Sequence, residues 1–262
     1  MELGLSRAAC IVTGASSGIG RTTARALCAE GANVLLTALE TDHLVEAVEE
    51  AAAAGGQATG ITLDITSEAA AARLLGACRE RFGAVDVLVN CAGSNWYRHL
   101  SELSDDDLYR QWELNVMALA RLLRVVAPEM ASHGGGRVVA VGSVSAKQPS
   151  AANLAYSVTK AAQVMLVRGF AEEYAPEGVI INSVLPGPVD TPLWRAANEQ
   201  IAAARGVSAE QIEAEVEQAL PRRQVASTLE LAQVIVFLAS PLAANVVGSA
   251  MTVDGGSARQ LF

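Results

Sequence analysis

The stretch Ala8-Ala9-Cys10-Ile11-Val12-Thr13-Gly14-Ala15-Ser16-Ser17-Gly18-Ile19-Gly20 runs from an apolar segment into a glycine cluster, and a helical pattern then continues to about Glu30. Read as strand, loop and helix, it brings backbone N–H groups and a helix amino end to one point, where a phosphate is favoured. Gly14 allows the tight turn, Gly18 close approach of the backbone to a ligand, and Gly20 close contact of helix with strand. Ser16 and Ser17 add hydroxyl donors, with Ile19 between the last two glycines. The spacing is Gly-x-x-x-Gly-x-Gly, not the commoner Gly-x-Gly-x-x-Gly. An ordinary strand-to-helix turn is the competing explanation, and only the rest of the chain decides between them.

The rest of the chain alternates in the same way. Residues 33–38 are a second strand, followed by a helix over 41–54 with Leu44, Val45 and Val48 as its apolar stripe. Residues 57–63 are a third strand ending at Asp64 and Ile65, and 67–82 are helical. A fourth strand over 85–89 leads into Asn90-Cys91-Ala92-Gly93, and a long helix over 105–130 follows, with Ser104 as its cap and Asn115 inside it. Strands at 137–141, 178–185 and 248–253 complete the set, with helices reaching Tyr174 and spanning 229–239. Such alternation implies right-handed βαβ crossovers and a parallel sheet covered on both faces. The expected fold is α/β, a doubly wound parallel sheet of about seven strands in one domain spanning 1–262. The Ala/Glu-rich residues 193–220 interrupt the alternation and read as a helical insertion at about 190–222, of the kind that forms lids.

Composition narrows the function classes. Half of the 262 residues are apolar, enough for a large core. A net charge of −9 without a basic patch argues against a nucleic-acid partner. The four cysteines form no Cys-x-x-Cys or Cys/His pattern, so no metal is expected and reduced thiols of a cytoplasmic protein are. Residues 1–7 are too short and mixed for a signal peptide, and no apolar run reaches the ~18 residues of a membrane span.

In a doubly wound sheet ligands sit at the carboxyl ends of the strands. Residues 14–20, Asp64, residues 90–93, Ser143 and residues 186–191 all fall there. At the end of the second strand an acid would accept from a ribose 2′-hydroxyl and a base would accommodate a 2′-phosphate. This chain has Ala38, Leu39 and Glu40; the absence of a nearby Arg or Lys leans towards NAD over NADP. Asp64 is open to two readings, a cap near Thr66 and Ser67 or a contact with an adenine amino group.

Tyr156 and Lys160 lie four residues apart, on one face of a helix. A free phenol titrates near pH ~10, and a fixed ammonium beside it favours the phenolate. The pair is thus a proton donor and acceptor suited to neutral pH, and Ser143, arriving from a strand end, could hold a substrate oxygen beside it. Tyr-x-x-x-Lys alone also occurs on many solvated helices, and an Asn such as Asn115 is most simply a solvated one.

Together these motifs closely resemble the short-chain dehydrogenase/reductase family in its compact single-domain form, over roughly residues 8–256. The resemblance implies a Rossmann-type fold and a catalytic set of Asn115, Ser143, Tyr156 and Lys160. It implies an NAD(P) site formed by Gly14, Ser16, Ser17, Gly18, Ile19, Gly20, Asp64, Ile65, Asn90, Ala92, Gly93, Tyr156 and Lys160. Pro186, Gly187, Val189 and Thr191 would hold the nicotinamide amide, and the Asn115 carbonyl a water reaching Lys160. Two departures stand out: Cys91 replaces an Asn common in the Asn-Asn-Ala-Gly turn, and positions 38 and 39 lack both the Asp of NAD-preferring members and the Arg of NADP-preferring ones. The activity expected is interconversion of a secondary alcohol and a ketone, with a 3-oxoacyl-thioester reductase as the alternative and a non-catalytic dinucleotide-binding protein as the rival. Ser145, Trp96, Tyr97 and Trp194 are the expected substrate contacts, with Leu193 adding apolar surface. Arg98 or Arg195 could meet an anionic group such as a carboxylate or a carrier phosphate, but an exposed helix or loop charge is the simpler reading of each. The small-molecule substrate is the expected partner, and the resemblance implies a homo-oligomer, a tetramer or else a dimer, built on the long helices and the last strand. The apolar residues 156–170 and the tail through Phe262 agree with this, though core burial explains them equally well.

Overall fold

The computed structural model describes residues 2–96, 98 and 100–259. Tyr97 and the extreme tail with Phe262 lie outside the described residues. Seven parallel strands form one sheet in the order β3-β2-β1-β4-β5-β6-β7. They are β1 (Ala9–Thr13), β2 (Asn33–Ala38), β3 (Gln57–Thr62), β4 (Val87–Asn90), β5 (Gly136–Val141), β6 (Val179–Pro186) and β7 (Ala250–Val253). The order reverses between β1 and β4, which pair from Cys10 opposite Val87 to Thr13 opposite Asn90. A crevice opens at such a reversal because the chain leaves the two strands toward opposite faces.

Side-chain alternation along the strands builds two cores. Cys10, Val12, Val34 and Leu36 pack on one face beneath α1 (Gly18–Ala29), α2 (Asp42–Ala53) and α9 (Thr228–Ala239). Ile11, Leu35, Leu88 and Val138 pack on the other beneath α3 (Ala70–Phe82), α5 (Ala118–Ser132) and α6 (Leu154–Tyr174). Each fully buried Leu or Ile of this kind contributes roughly 1.5–3 kcal/mol. Strands β1, β4 and β6 are buried along their whole length, whereas β3 at the sheet edge is half exposed.

Two expected helices are interrupted. The long helix over 105–130 consists of α4 (Asp105–Trp112), a π-helical turn (Glu113–Met117) and α5. Its start is as expected: the Ser104 hydroxyl accepts from Asp107 N while Asp107 caps Ser104 in return. The insertion between β6 and α9 is two helices, α7 (Pro192–Arg205) and α8 (Ala209–Ala219), not one. Gly206 ends α7 in the left-handed region at φ 67°, and the Ser208 hydroxyl caps α8 by accepting from Gln211 N. No helix among the described residues is long and apolar enough to cross a membrane.

A buried amide ties the last strand on. Asn182 is fully buried in β6; its Nδ2 donates to Val246 O at 2.6 Å, and its Oδ1 accepts from Ser249 N at 2.8 Å. Both partners lie in the loop that delivers β7. Replacing Asn182 with Leu would leave two buried backbone groups unmatched, at about 1–3 kcal/mol each. Asn182→Leu is therefore expected to lower the unfolding free energy by about 3 kcal/mol, read as a shifted denaturant midpoint with little change in slope.

Candidate active site

A cleft of about 550 Å³ opens at the carboxyl ends of β1, β4, β5 and β6. Its floor at the β1 end is the glycine loop. Gly14 and Gly18 have positive φ, 63° and 53°. A Cβ on Gly14 would lie 2.8 Å from Ala92 N, and one on Gly20 would lie 2.2 Å from Gly14 O. The loop is therefore compressed against both α1 and the turn after β4. Ser17 is the N-cap of α1 but makes no side-chain cap, whereas α4, α7, α8 and α9 are each capped by a Ser or Thr hydroxyl. The amino end of α1 thus opens, with bare glycines, onto the cleft. That arrangement fits the diphosphate of a dinucleotide.

Thr13 and Asn90 clamp the turn after β4. Thr13 Oγ1 donates to Asn90 Oδ1 at 2.9 Å and accepts from Ala92 N at 3.1 Å. Asn90 is buried by this contact and does not itself line the cleft. Ala92 and Gly93 do. A side chain on Gly93 would meet Asn115 Oδ1 at 3.0 Å and Lys160 Nζ at 3.4 Å.

Lys160 is 3% exposed, and its Nζ donates to Val141 O at 3.1 Å and to Gln163 Oε1 at 3.0 Å. It also lies 5.5 Å from the centre of the Tyr156 ring, within cation–π range. Burial lowers the ammonium from 10.5 to about 8, opposed by the nearby Cys91 thiol. Burial in turn pushes that thiol up to about 12, so it is uncharged at neutral pH. Ser143, at the end of β5, accepts from Ser145 N at 3.1 Å through its Oγ. Its own hydrogen is thereby left for another acceptor.

Asn115 sits in the π-helical turn, 1% exposed, and is not solvated. Its Nδ2 donates to Thr159 Oγ1 at 3.0 Å and Ser94 O at 3.3 Å, and its Oδ1 accepts from Ser94 N at 3.3 Å. The side chain braces α6 against the turn after β4 and stays outside the cleft. Wide turns of this kind recur at functional positions.

Most expected site residues meet at the cleft: Gly14, Ser16, Ser17, Gly18, Ile19, Gly20, Ala92, Gly93, Ser143, Ser145, Tyr156, Lys160, Pro186, Gly187, Val189, Thr191 and Trp194. Asp64 and Ile65 stand outside its lining. Asp64 Oδ1 accepts from Thr66 N at 2.9 Å and Thr66 Oγ1 at 2.7 Å, a local turn that holds the carboxyl below its usual range. Trp96 also stands outside, 38% exposed. Arg195 is held bidentately by Asp190 at 2.8 and 2.9 Å, and Arg98 lies 3.8 Å from Asp107, so each has an acidic partner of its own. The cleft also takes in Asn95, Asn153, Asn198, Ile201 and Val216, which sequence spacing did not single out.

The family model described as short chain dehydrogenase matches residues 8–202. The chain belongs to the short-chain dehydrogenase/reductase family. It is similar to the 7alpha-hydroxysteroid dehydrogenase of Escherichia coli (strain K12), 32% identical over 251 residues that cover 96% of this chain and 94% of the relative. Among solved structures, L-sorbose reductase from Gluconobacter frateurii, complexed with NADPH and L-sorbose, superposes with a TM-score of 0.94 at 33% identity, covering 100% of both chains. A variant actinorhodin polyketide ketoreductase with NADPH superposes at 0.93 and 32% identity, covering 97% of this chain and 98% of that one. This dehydrogenase/reductase is thus an oxidoreductase with an NAD(P)-binding Rossmann-type fold. Among the described residues no cluster of His, Cys, Asp or Glu is arranged to hold a metal ion.

The buried ammonium leaves a pH signature. A lysine whose folded value lies below its unfolded value gives up its proton on folding between the two. The native state therefore carries the full burial cost below pH about 8 and gains stability as pH rises from about 8 to 10.5. The stability of the wild type relative to Lys160→Met is expected to rise by about 3 kcal/mol across that window. Parallel denaturation curves of the two proteins at stepped pH measure it, because titrating groups that do not interact with Lys160 cancel.

Proposed function

We propose that the cleft carries out reversible oxidation of a secondary alcohol to a ketone, with NAD as the preferred dinucleotide. The observation that carries this reading is the buried Lys160 ammonium beneath Tyr156, at the mouth of a cleft whose other end is an open glycine loop. The nicotinamide cofactor supplies or takes up the hydride when bound.

This chain's residues would do the rest. The amino end of α1 and the loop of Gly14, Ser16, Ser17, Gly18, Ile19 and Gly20 would take the diphosphate. Asp64 and Ile65 would border the adenine, and Asn90, Ala92 and Gly93 its ribose. Pro186, Gly187, Val189 and Thr191 would hold the nicotinamide amide. Ser143 Oγ, its lone pair engaged by Ser145 N, would donate to the substrate oxygen and fix it beside Tyr156 Oη. Tyr156 Oη would give the proton to that oxygen in reduction and take it back in oxidation. Two Lys160 hydrogens are spent on Val141 O and Gln163 Oε1; the third would serve a ribose hydroxyl, while the positive charge favours the phenolate. Asn115 would act as a positioning residue, its side chain holding α6 and its carbonyl a water in line with Lys160.

The preference for NAD rests on missing positive charge. Ala38 and the exposed Leu39 stand where β2 ends, and Glu40 follows. Arg21, in α1, is turned to α2, where Glu50 Oε1 lies 2.8 Å and Glu46 3.4 Å away. Among the described residues, those at 38–41, where β2 ends, offer a 2′-phosphate no cation. The exposed Tyr109, Trp112 and Met165 on α4 and α6 support self-association through those helices.

Tyr156→Phe is expected to keep dinucleotide binding within a few-fold and to reduce turnover by about a thousandfold or more; fluorescence titration and a stopped-time absorbance assay give the two numbers, and retained turnover would overturn the assignment of Tyr156. Leu39→Arg is expected to raise kcat/KM for NADPH at least about tenfold, one charged contact being worth about 1.5–3 kcal/mol, with NADH reduced or unchanged. A wild type that already uses NADPH better than NADH would refute the preference.

A further inference from the structure

The part of the cleft wall formed by α7 and α8 is lined by Leu193, Trp194, Ala197, Ile201 and Val216, with Asn198 among them. Trp194, Asn198 and Ile201 stand at i, i+4 and i+7 along α7, hence on one helix face, and all three line the cleft with Ala197 and Val216. Asn198 is only 3% exposed, and its Nδ2 has no hydrogen-bond partner among the described residues. Asn is a mediocre helix former, and a buried amide donor without an acceptor is costly, so neither the helix nor the core explains it. The turn beyond β4 supplies a counterpart. Asn95 also lines the cleft, and its Oδ1 is a buried acceptor without a donor. The two amides do not satisfy each other.

We infer that Asn198 is a specificity-determining residue that donates a hydrogen bond to a hydroxyl of the substrate remote from the reacting carbon, on an otherwise apolar skeleton. A hydroxyl has the chemistry to answer either unmatched atom, accepting as Asn198 Nδ2 requires or donating as Asn95 Oδ1 requires, whereas a carbonyl can answer Asn198 alone. The apolar side chains around Asn198 match the skeleton. This inference rests on the proposed ketone chemistry and narrows its substrate class to hydroxylated ketones and the corresponding diols.

The test uses the full chain with cyclohexanone, decalone, their derivatives carrying a ring hydroxyl remote from the carbonyl, and the matching diketones. The wild type should favour each hydroxylated ketone over its bare parent at least about tenfold in kcat/KM, mainly through KM, with the diketones between. In Asn198→Leu that ratio should fall to near one while the bare ketones keep or improve their kcat/KM. Asn198→Ala, which adds no bulk, should give the same ratio with a Tm at or above that of the wild type, since an orphaned donor has been removed. A lowered Tm with equal losses for both members of each pair would mark a structural Asn198 and overturn the inference. Turnover of the bare ketones without preference for the hydroxyl would overturn it while leaving the ketone chemistry intact. No turnover of any ketone would remove both.

Discussion

The burial of one ammonium organises the cleft end of this molecule. Taking a lysine charge out of water costs several kcal/mol unless its donors find partners. Lys160 meets that cost with a strand carbonyl at the end of β5, an amide one turn along its own helix, and the face of the Tyr156 ring. One partner comes from β5 and the other two from α6 itself, so the charge is held where β5 and α6 meet in this register. Glycine at position 93 follows from the same constraint, because a side chain there would press on both Asn115 Oδ1 and Lys160 Nζ. The depressed proton affinity of the lysine is the electrostatic face of that burial.

Around this charge the molecule divides its work. The side of the crevice built on β1 and β4 is rigid: buried strands, a compressed glycine loop, and the Thr13–Asn90–Ala92 clamp. The side built on the segment after β6 is an addition to the alternating pattern. There α7 and α8 carry large apolar groups toward the cleft and charged ones away from it. Thr191, which caps α7 by accepting from Trp194 N, has its methyl 3.3 Å from where a Cβ of Gly18 would stand. The glycine loop and the insertion therefore approach closely at a position where a side chain would crowd Thr191 and where the positive φ also favours glycine.

Much of this was legible from the residue order. Apolar runs punctuated by glycine gave the strands nearly to the residue, and the glycine loop, Tyr156 and Lys160, picked out by spacing, line one cleft. What stayed hidden had physical reasons. The apolar residues Leu119, Leu122, Leu123 and Val126 keep a helical period, so nothing in the pattern betrays the wide turn just before them that buries Asn115. The break at Gly206 did carry a signal, glycine followed by a Ser208-x-x-Gln211 cap, but an Ala/Glu-rich background on both sides masked it. Asp64 has a partner two residues away in Thr66, which a local reading already allowed. Asn198 could not be found from spacing, because only the tertiary fold brings it into one cleft with Asn95, whose stretch already lay at the ligand edge of the sheet. Arg195 resembled a free cation only until Asp190, five residues earlier, closed on it.

The reversal of strand order between β1 and β4 has a further consequence, for biosynthesis. An emerging chain can align its first three strands early, since each neighbour is close in sequence. The inner edge of β1 must then wait for Val87 to Asn90 before it has a partner. Until that point a largely apolar strand presents an unsatisfied ladder to the surroundings, which is a form in which nascent chains self-associate. Loop closure over such a span is slow compared with helix formation. The place where the ligand crevice opens is thus also the seam on which assembly of the sheet waits.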